Sequence, residues 1–323
     1  MTMKTDPPEL ALDWHCAGRG VALATVVQTW GSAPRQAGSQ MVIDATGAMA
    51  GSVSGGCVEG AVVTEAVEAI ANGQQRLLHF GVSDDDAFAV GLACGGEIKV
   101  LVEPVGTVIP LETLRELVAR RARGEAVAYV TGLHSGGPEL RSGDAFPERF
   151  RRDQSGIEVD AKTFVCVHNP PLRLVIVGAV HIAQCLVPMA QACGYNISVI
   201  DPRPAFASPD RFGDVDLHDA WPQDVLAQMM RDGRTAVVTL AHDPKIDDPA
   251  IMAALQADVF YIGCLGSKRT HAKRLARLTQ AGWDTAQLTR IHGPVGLPIG
   301  GRQPAEIAIS IMAELTQVLR KGT

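Results

Sequence analysis

The chain has 323 residues, 46% of them hydrophobic and 20% charged, which is enough for two ordinary domains, each with its own core. A net charge of -6 lacks the basic footprint of a nucleic-acid partner, no apolar run is long enough to span a bilayer, and residues 1–14 have neither the basic start nor the apolar core of a signal segment. Seven scattered cysteines, an odd number, suit reduced thiols better than a disulfide framework, so the cytoplasm is the expected compartment.

After a short polar lead, residues 21–27 read as a buried strand from their β-branched content and brevity. A turn segment follows, with Gly31, Ser32 and Pro34, a cation at Arg35 and a second glycine at Gly38. Short strands over 40–44 and 48–52 are joined by Ala45, Thr46 and Gly47 as a tight hairpin. The chain then enters a glycine-rich stretch, 51–60, in which Gly55 and Gly56 precede Cys57 and Glu59. Val58, Val62, Ala66 and Ile70 recur every four residues and the pattern closes at Asn72 and Gly73, so a helix is predicted with Cys57 at its N-terminus. Unpaired N–H groups and the positive end of the helix there favour a thiolate or a bound anion, and the glycines allow a ligand close to the backbone. The competing reading is a buried structural cysteine on a packed turn.

Strands are expected over 76–80 and 97–103, separated by the acidic run Asp84 to Asp86, read as a solvated loop, and by a second glycine-flanked thiol, Cys94, followed by Gly95. Two such turns suggest one site assembled from two loops; neither is a CxxC, which argues against a zinc ribbon or a thioredoxin-type pair. A helix over 111–123 and a strand over 126–131 lead into a polar, glycine-rich stretch. The predicted organisation is an N-terminal domain over 1–135, a boundary region over 136–168 and a C-terminal domain over 169–323.

The second half opens with an apolar strand over 172–177, Gly178, a helical pattern through Ile182, Leu186 and Met189, and a strand over 196–200 that ends on Asp201. Strand, glycine turn, helix, strand and terminal acid make the first βαβ of a doubly wound sheet. Strands over 236–240 and 259–262 are each followed by a helical pattern, over 248–256 and 267–280, and a last helix runs from Pro304 to about 320. Ligands bind beyond the carboxyl ends of such strands. Those ends carry Gly178 and His181, Asp201 and Arg203, His242 and Asp243, then Gly266, Ser267, Lys268 and Arg269, with His292 in a later irregular loop. The edge reads as built for a phosphate-bearing ligand, against the alternative of solvated, inert loops. The dinucleotide fingerprint is incomplete: Val180 stands where a glycine would let the backbone approach a pyrophosphate, which argues against ordinary NAD(P) binding and leaves Asp201 either to hold a ribose or to cap the turn at Pro202.

At these residues the chain resembles the xanthine dehydrogenase accessory factor (XdhC/CoxI) family over nearly its whole length, through Gly31 to Arg35, Ser54 to Gly60, Cys94 to Gly96, Val177 to Ala183, His242 to Lys245, Gly266 to Arg274, Ile291 to Leu297 and Ile299 to Ala308. It departs from that pattern at Val180, Ala241, Gly293 and Gln303. The resemblance implies an N-terminal α/β domain with a Cys/Gly-rich site and a C-terminal Rossmann-like domain. It implies a maturation factor, a carrier more than an enzyme, that binds molybdenum cofactor transiently, assists its sulfuration and delivers it to a xanthine dehydrogenase-type molybdoenzyme. A cysteine desulfurase is an expected partner, a homodimer is a plausible state, and neither nucleic acid nor membrane is expected. Cys57, with Cys94, is the expected contact to the molybdenum end. Arg35, Gly55, Gly56, Glu59, Gly95, Gly178, His181, Asp201, His242, Gly266, Ser267, Lys268, Arg269 and His292 are the other expected cofactor contacts. Two further readings stand beside this one: a nicotinamide-dependent oxidoreductase, and a persulfide carrier using Cys57.

Overall fold

The computed structural model describes residues 6–31, 35–81, 96–134, 137–229 and 232–321. The chain divides into two compact units, Met1–Pro170 and Pro171–Thr323. In the first, α1 (Pro7–Cys16) precedes β1 (Val21–Trp30), β2 (Gln40–Asp44), β3 (Met49–Gly51), α2 (Glu59–Asn72), β4 (Arg76–Phe80), β5 (Glu97–Pro104), α3 (Leu111–Ala122), β6 (Val127–Gly132), β7 (Glu139–Ser142), α4 (Pro147–Arg152), β8 (Gly156–Ile157) and β9 (Thr163–His168).

The sheet β3-β2-β1-β5-β4 is antiparallel, with β1 in its centre. Residues 21–27 are buried without a break, Thr25 among otherwise apolar side chains, because both faces of β1 are covered. Ala22, Ala24 and Val26 pack with Ile98, Val100 and Val102 under Val58, Val62, Ala66 and Ala69 at and within α2. Val21, Leu23 and Val27 pack on the other face with Ala11, Leu114, Leu117, Tyr129 and Phe164. Asp44 closes the predicted hairpin by accepting from Thr46 N (2.9 Å) and Ala48 N (3.0 Å), with Gly47 at φ +84°.

Two expectations are corrected here. The polar lead is a helix, α1, with proline in its first turn, Glu9 near its start and His15 near its end, and it buries Pro8 and Ala11. The expected boundary region, 136–168, carries β7, α4, β8 and β9. These strands build an antiparallel sheet, β7-β6-β9-β8, inside the first unit. Its polar, glycine-rich composition reflects strands whose outer residues are exposed: Glu139, Arg141 and Ser142 face water while Phe164, Val165 and Cys166 are buried.

The second unit contains β10 (Arg173–Val177), α5 (His181–Ala192), β11 (Asn196–Ile200), α6 (Pro209–Phe212), β12 (Asp216–His218), α7 (Pro222–Gln228), β13 (Thr235–Thr239), α8 (Pro244–Leu255), β14 (Tyr261–Cys264), α9 (Lys268–Gln280), α10 (Thr285–Leu288), β15 (Ile291–His292) and α11 (Pro304–Lys321). The sheet β12-β11-β10-β13-β14-β15 is parallel at every pairing. Counted within the unit, its order is 3-2-1-4-5-6, that of the dinucleotide-binding doubly wound folds. Leu186 and Ala190 of α5 and Ile311 and Leu315 of α11 cover one face with Leu174 and Ile176; Leu226, Ile251 and Leu278, from α7, α8 and α9, cover the other with Val175 and Val177. Helices on both faces explain why β13 is buried throughout and β10 from Leu174 to Val177, with apolar cores to both strands.

One ionisable group lies inside the first core. Alternation along β5 turns Ile98, Val100 and Val102 toward α2, so Glu103 falls on the opposite face, buried, accepting a 2.8 Å hydrogen bond from Thr131 Oγ1. Burial pushes its carboxyl up to about 7 against the opposing hydrogen bond from Thr131. A raised carboxyl favours the folded state below its ordinary value and loses that contribution as pH rises through about 7. Glu103→Gln keeps an acceptor for Thr131 and removes the loss. In urea unfolding it should exceed wild type by about 3 kcal/mol at pH 8 and match it near pH 4.

Candidate functional site

The glycine-rich loop before α2 is organised by Glu59, the first residue of that helix. Its Oε1 accepts from Ser52 Oγ (2.8 Å) and from the amides of Val53 (3.2 Å), Ser54 (2.9 Å) and Gly55 (3.0 Å). Its Oε2 accepts from Ser54 Oγ and from the amide of Gly56 (2.9 Å). Ser54 Oγ also accepts from Val58 N (3.0 Å), and Ser52 Oγ from Gly55 N (3.0 Å). Burial opposes ionisation of Glu59, but the bonds from Ser54 and Ser52 outweigh it and hold the carboxyl far below the usual carboxylate range. The loop reverses through Gly55 (φ +85°) and Gly56 (φ +125°), conformations that a side chain would strain.

The loop amides therefore already have an anion. The expectation that they face a bound anion from outside is corrected: the amides from Val53 to Gly56 turn inward onto Glu59. What the loop presents outward is Cys57, whose thiol is exposed while Val53, Ser54 and Val58 on either side are buried. This excludes the buried-structural reading of that cysteine. Beside the loop is a cleft of about 510 Å³ lined by Gly51 and Ser52 together with Arg35, Gln40 and Leu10. Arg35 is exposed in it and brings a positive charge. Cys94 and Gly95, expected at the same site, and the acidic run Asp84 to Asp86 lie outside the described residues.

In the second unit the predicted residues fall at the carboxyl end of the parallel sheet, in different roles. A Cβ on Gly178 (φ +106°) would meet Ala241 N at 2.5 Å, so β10 and β13 can end this close together only with glycine there. Asp201 is fully buried and already engaged: Oδ2 accepts from Ala179 N (2.8 Å) and Arg203 Nη2 (2.7 Å), Oδ1 from Arg203 N (3.0 Å) and Nε (2.8 Å). Burial works against its ionisation, but Arg203 and the Ala179 amide hold it below the ordinary range. The acid placed to take a ribose is thus tied to its own turn. Val180 is the N-cap of α5 and packs against the core under that helix, and His181 is exposed at the first helical position.

His242 follows β13 with φ +62°, a left-handed conformation uncommon outside glycine, and is exposed. Ser267 caps α9, its hydroxyl accepting from Thr270 N (3.1 Å), after Gly266 at φ +146°. Lys268 and Arg269 open that helix and are exposed. His292 is engaged with other residues: Nδ1 lies 3.2 Å from Glu314 Oε1 and its ring stacks on Tyr261 at 4.6 Å. Glu314 also accepts from the Tyr261 hydroxyl and from Gly296 N (2.7 Å), so it pins this loop to α11.

Sequence reasoning missed Glu314, Asp247 and Arg274. Arg269, Lys273 and Arg277 carried a signal, recurring every four residues along one face of α9. Among the described residues no group of three or more His, Cys, Asp or Glu is arranged to hold a metal ion, and no helix is long and apolar enough to cross a membrane.

A depressed carboxyl stabilises the fold above its ordinary value and loses that contribution as pH falls through its folded value. Glu59→Gln should therefore cost about 2–3 kcal/mol at pH 7 in urea unfolding, with the gap from wild type shrinking below about pH 4.5. Faster hydrogen exchange at the amides of Ser54 to Gly56 should accompany it.

Residues 14–81 match the family described as "XdhC and CoxI family", and residues 174–315 match "XdhC Rossmann domain". The chain is 33% identical over 311 residues to the Escherichia coli protein named "Molybdenum cofactor insertion chaperone PaoD", covering 95% of this chain and 86% of that one. It is 30% identical over 319 residues to a Bacillus subtilis protein described as a probable xanthine dehydrogenase component, covering 93% of each. A crystal structure described as a xanthine dehydrogenase from Bacillus halodurans superposes with a TM-score of 0.74 at 26% identity, covering 99% of this chain and 97% of that one. The sequence motifs, the Cys/Gly loop, the Rossmann strand order and these likenesses agree: the chain belongs to the XdhC and CoxI family.

Proposed function

We propose that this protein is a cytoplasmic maturation factor that takes up molybdenum cofactor, assists its sulfuration and passes it to a molybdenum hydroxylase of the xanthine dehydrogenase type. The observation that carries this reading is the exposed thiol of Cys57, at the start of α2 on a loop that Glu59 holds in one shape. A soft sulfur ligand suits a molybdenum or sulfur centre, and a preset loop binds without first losing conformational entropy. Arg35, in the cleft beside the loop, supplies a planar charge suited to the phosphate of a pterin cofactor. The names of the Escherichia coli and Bacillus subtilis relatives support the same cargo and the same kind of client. In this reading Cys94 joins Cys57, a cysteine desulfurase supplies sulfur, and Cys57 carries it as a persulfide during transfer. A homodimer is compatible with this reading, two-fold pairing being the commonest assembly.

A nicotinamide-dependent oxidoreductase is the second reading, and the 3-2-1-4-5-6 strand order favours it. The engagement of Asp201 by Arg203 and Ala179 and the valine at 180 weigh against it. No saturable binding of NAD(H) or NADP(H) at millimolar concentration is expected.

Cofactor retention after anaerobic gel filtration separates the thiols. Cys57→Ala should lose bound molybdenum cofactor, whereas Cys16→Ala, which removes another exposed thiol of the same unit, should retain it. Equal retention would take Cys57 out of the account.

A further inference from the structure

We infer that the second unit holds a phosphate site between α8 and α9, centred on Arg274 and distinct from the thiol loop of the first unit. A cleft of about 370 Å³ opens there, lined by His242, Asp247, Arg269, Lys273, Arg274 and Arg277 among others. Its lining starts at His242 and Arg269, just past the carboxyl ends of β13 and β14 where open α/β sheets take their ligands, and continues along α8 and α9.

Arg274 is 2% exposed, so its guanidinium has left water and needs protein partners. Nη2 donates to the carbonyl of Leu265 at 3.0 Å, but Nε and Nη1 have no partner. The nearest carboxylate oxygen, Asp247 Oδ2, is 3.7 Å from Nη2, beyond hydrogen-bond reach, and Asp247 Oδ1 is unpartnered as well. A buried charge with donors left over is costly unless an acceptor arrives.

The neighbouring charges say what kind of acceptor. Arg277 is neutralised by a two-point pair with Asp248, at 2.6 and 2.9 Å. Arg269 and Lys273 are exposed at the cleft and have no ion-pair partner among the described residues. Burial pushes Asp247 up to about 7 against the pull of Arg274, so it offers only a partial counter-charge and in its protonated form is a donor. Three cations facing one weakened carboxylate match a dianion with several acceptor oxygens, and the fork of Arg274 suits the geometry of a phosphate. The ligand class is a phosphate monoester, of a nucleotide or of a phosphorylated pterin.

The site does not depend on the cofactor reading, and inorganic phosphate probes it without molybdenum. Calorimetric titration of wild type with phosphate at pH 7.5 should give saturable binding, unchanged in Cys57→Ala. The surface double variant Arg269→Ala/Lys273→Ala, which leaves the core intact, should weaken it about tenfold, and Arg274→Met should abolish it. Asp247→Asn should tighten it by removing the residual negative charge. No saturable binding by wild type, or equal binding by the double variant, would overturn the inference and leave Arg274 and Asp247 as an internal ion pair. Competition then names the source: displacement of phosphate by adenosine or cytidine monophosphate at lower concentration than by free phosphate assigns a nucleotide, and displacement by molybdenum cofactor alone assigns the pterin.

Discussion

The carboxylate of Glu59 sets the shape of the thiol site. A loop with glycine at positions 51, 55, 56 and 60 has many conformations to lose on folding, and nothing in its apolar content selects one. Gathering the amides from Val53 to Gly56 onto one carboxylate does select one, and the buried Val53 and Val58 then anchor the loop to the core under α2. Cys57 is presented at the surface because everything around it is held. The loop thus resembles an anion-binding turn whose anion is part of the chain.

The second unit repeats that device at Asp201, where the turn after β10 also gives an amide to a carboxylate from its own chain. In a dinucleotide-binding fold this turn and this acid receive the ligand. Here the Arg203 fork takes both oxygens of the acid, and the architecture is retained with this usual ligand contact already occupied. Strand order alone therefore says little about what the unit binds, and the open polar capacity of its edge has moved along the sheet, to the cleft where Arg274 lacks partners.

Both units also place ionisable groups where burial works against their charge, at Glu103 between the sheets of the first and at Asp247 beneath the cleft of the second. The two differ in their surroundings. Glu103 has a hydroxyl partner and lies in an apolar core, the pattern of a tolerated structural acid, whereas Asp247 lies beside an unsatisfied guanidinium at an opening. Perturbed groups of the second kind are the ones that mark binding sites.

The periodicities of the chain were sufficient to locate β1, β2, β4, β5, α2, α3, β10, α5, β11 and α11 within a few residues, because apolar spacing reports local backbone geometry and the face each element buries. The same local chemistry set Cys57 at the start of α2, marked the glycine turn at 178 and brought out the family likeness through its ordered motifs. Short or half-exposed elements such as β7, β8 and β12 left no such trace, and the polar composition around the first two reads as a boundary between domains. Pairing lay further out of reach. That Glu59 takes the loop amides, that Arg203 and Ala179 take Asp201, that Thr131 meets Glu103 and that Arg274 keeps two donors unpaired follow from which donors and acceptors the packed chain brings into hydrogen-bond reach. Hydrogen-bond capacity is written in each residue, but its allocation exists only once the strands are side by side.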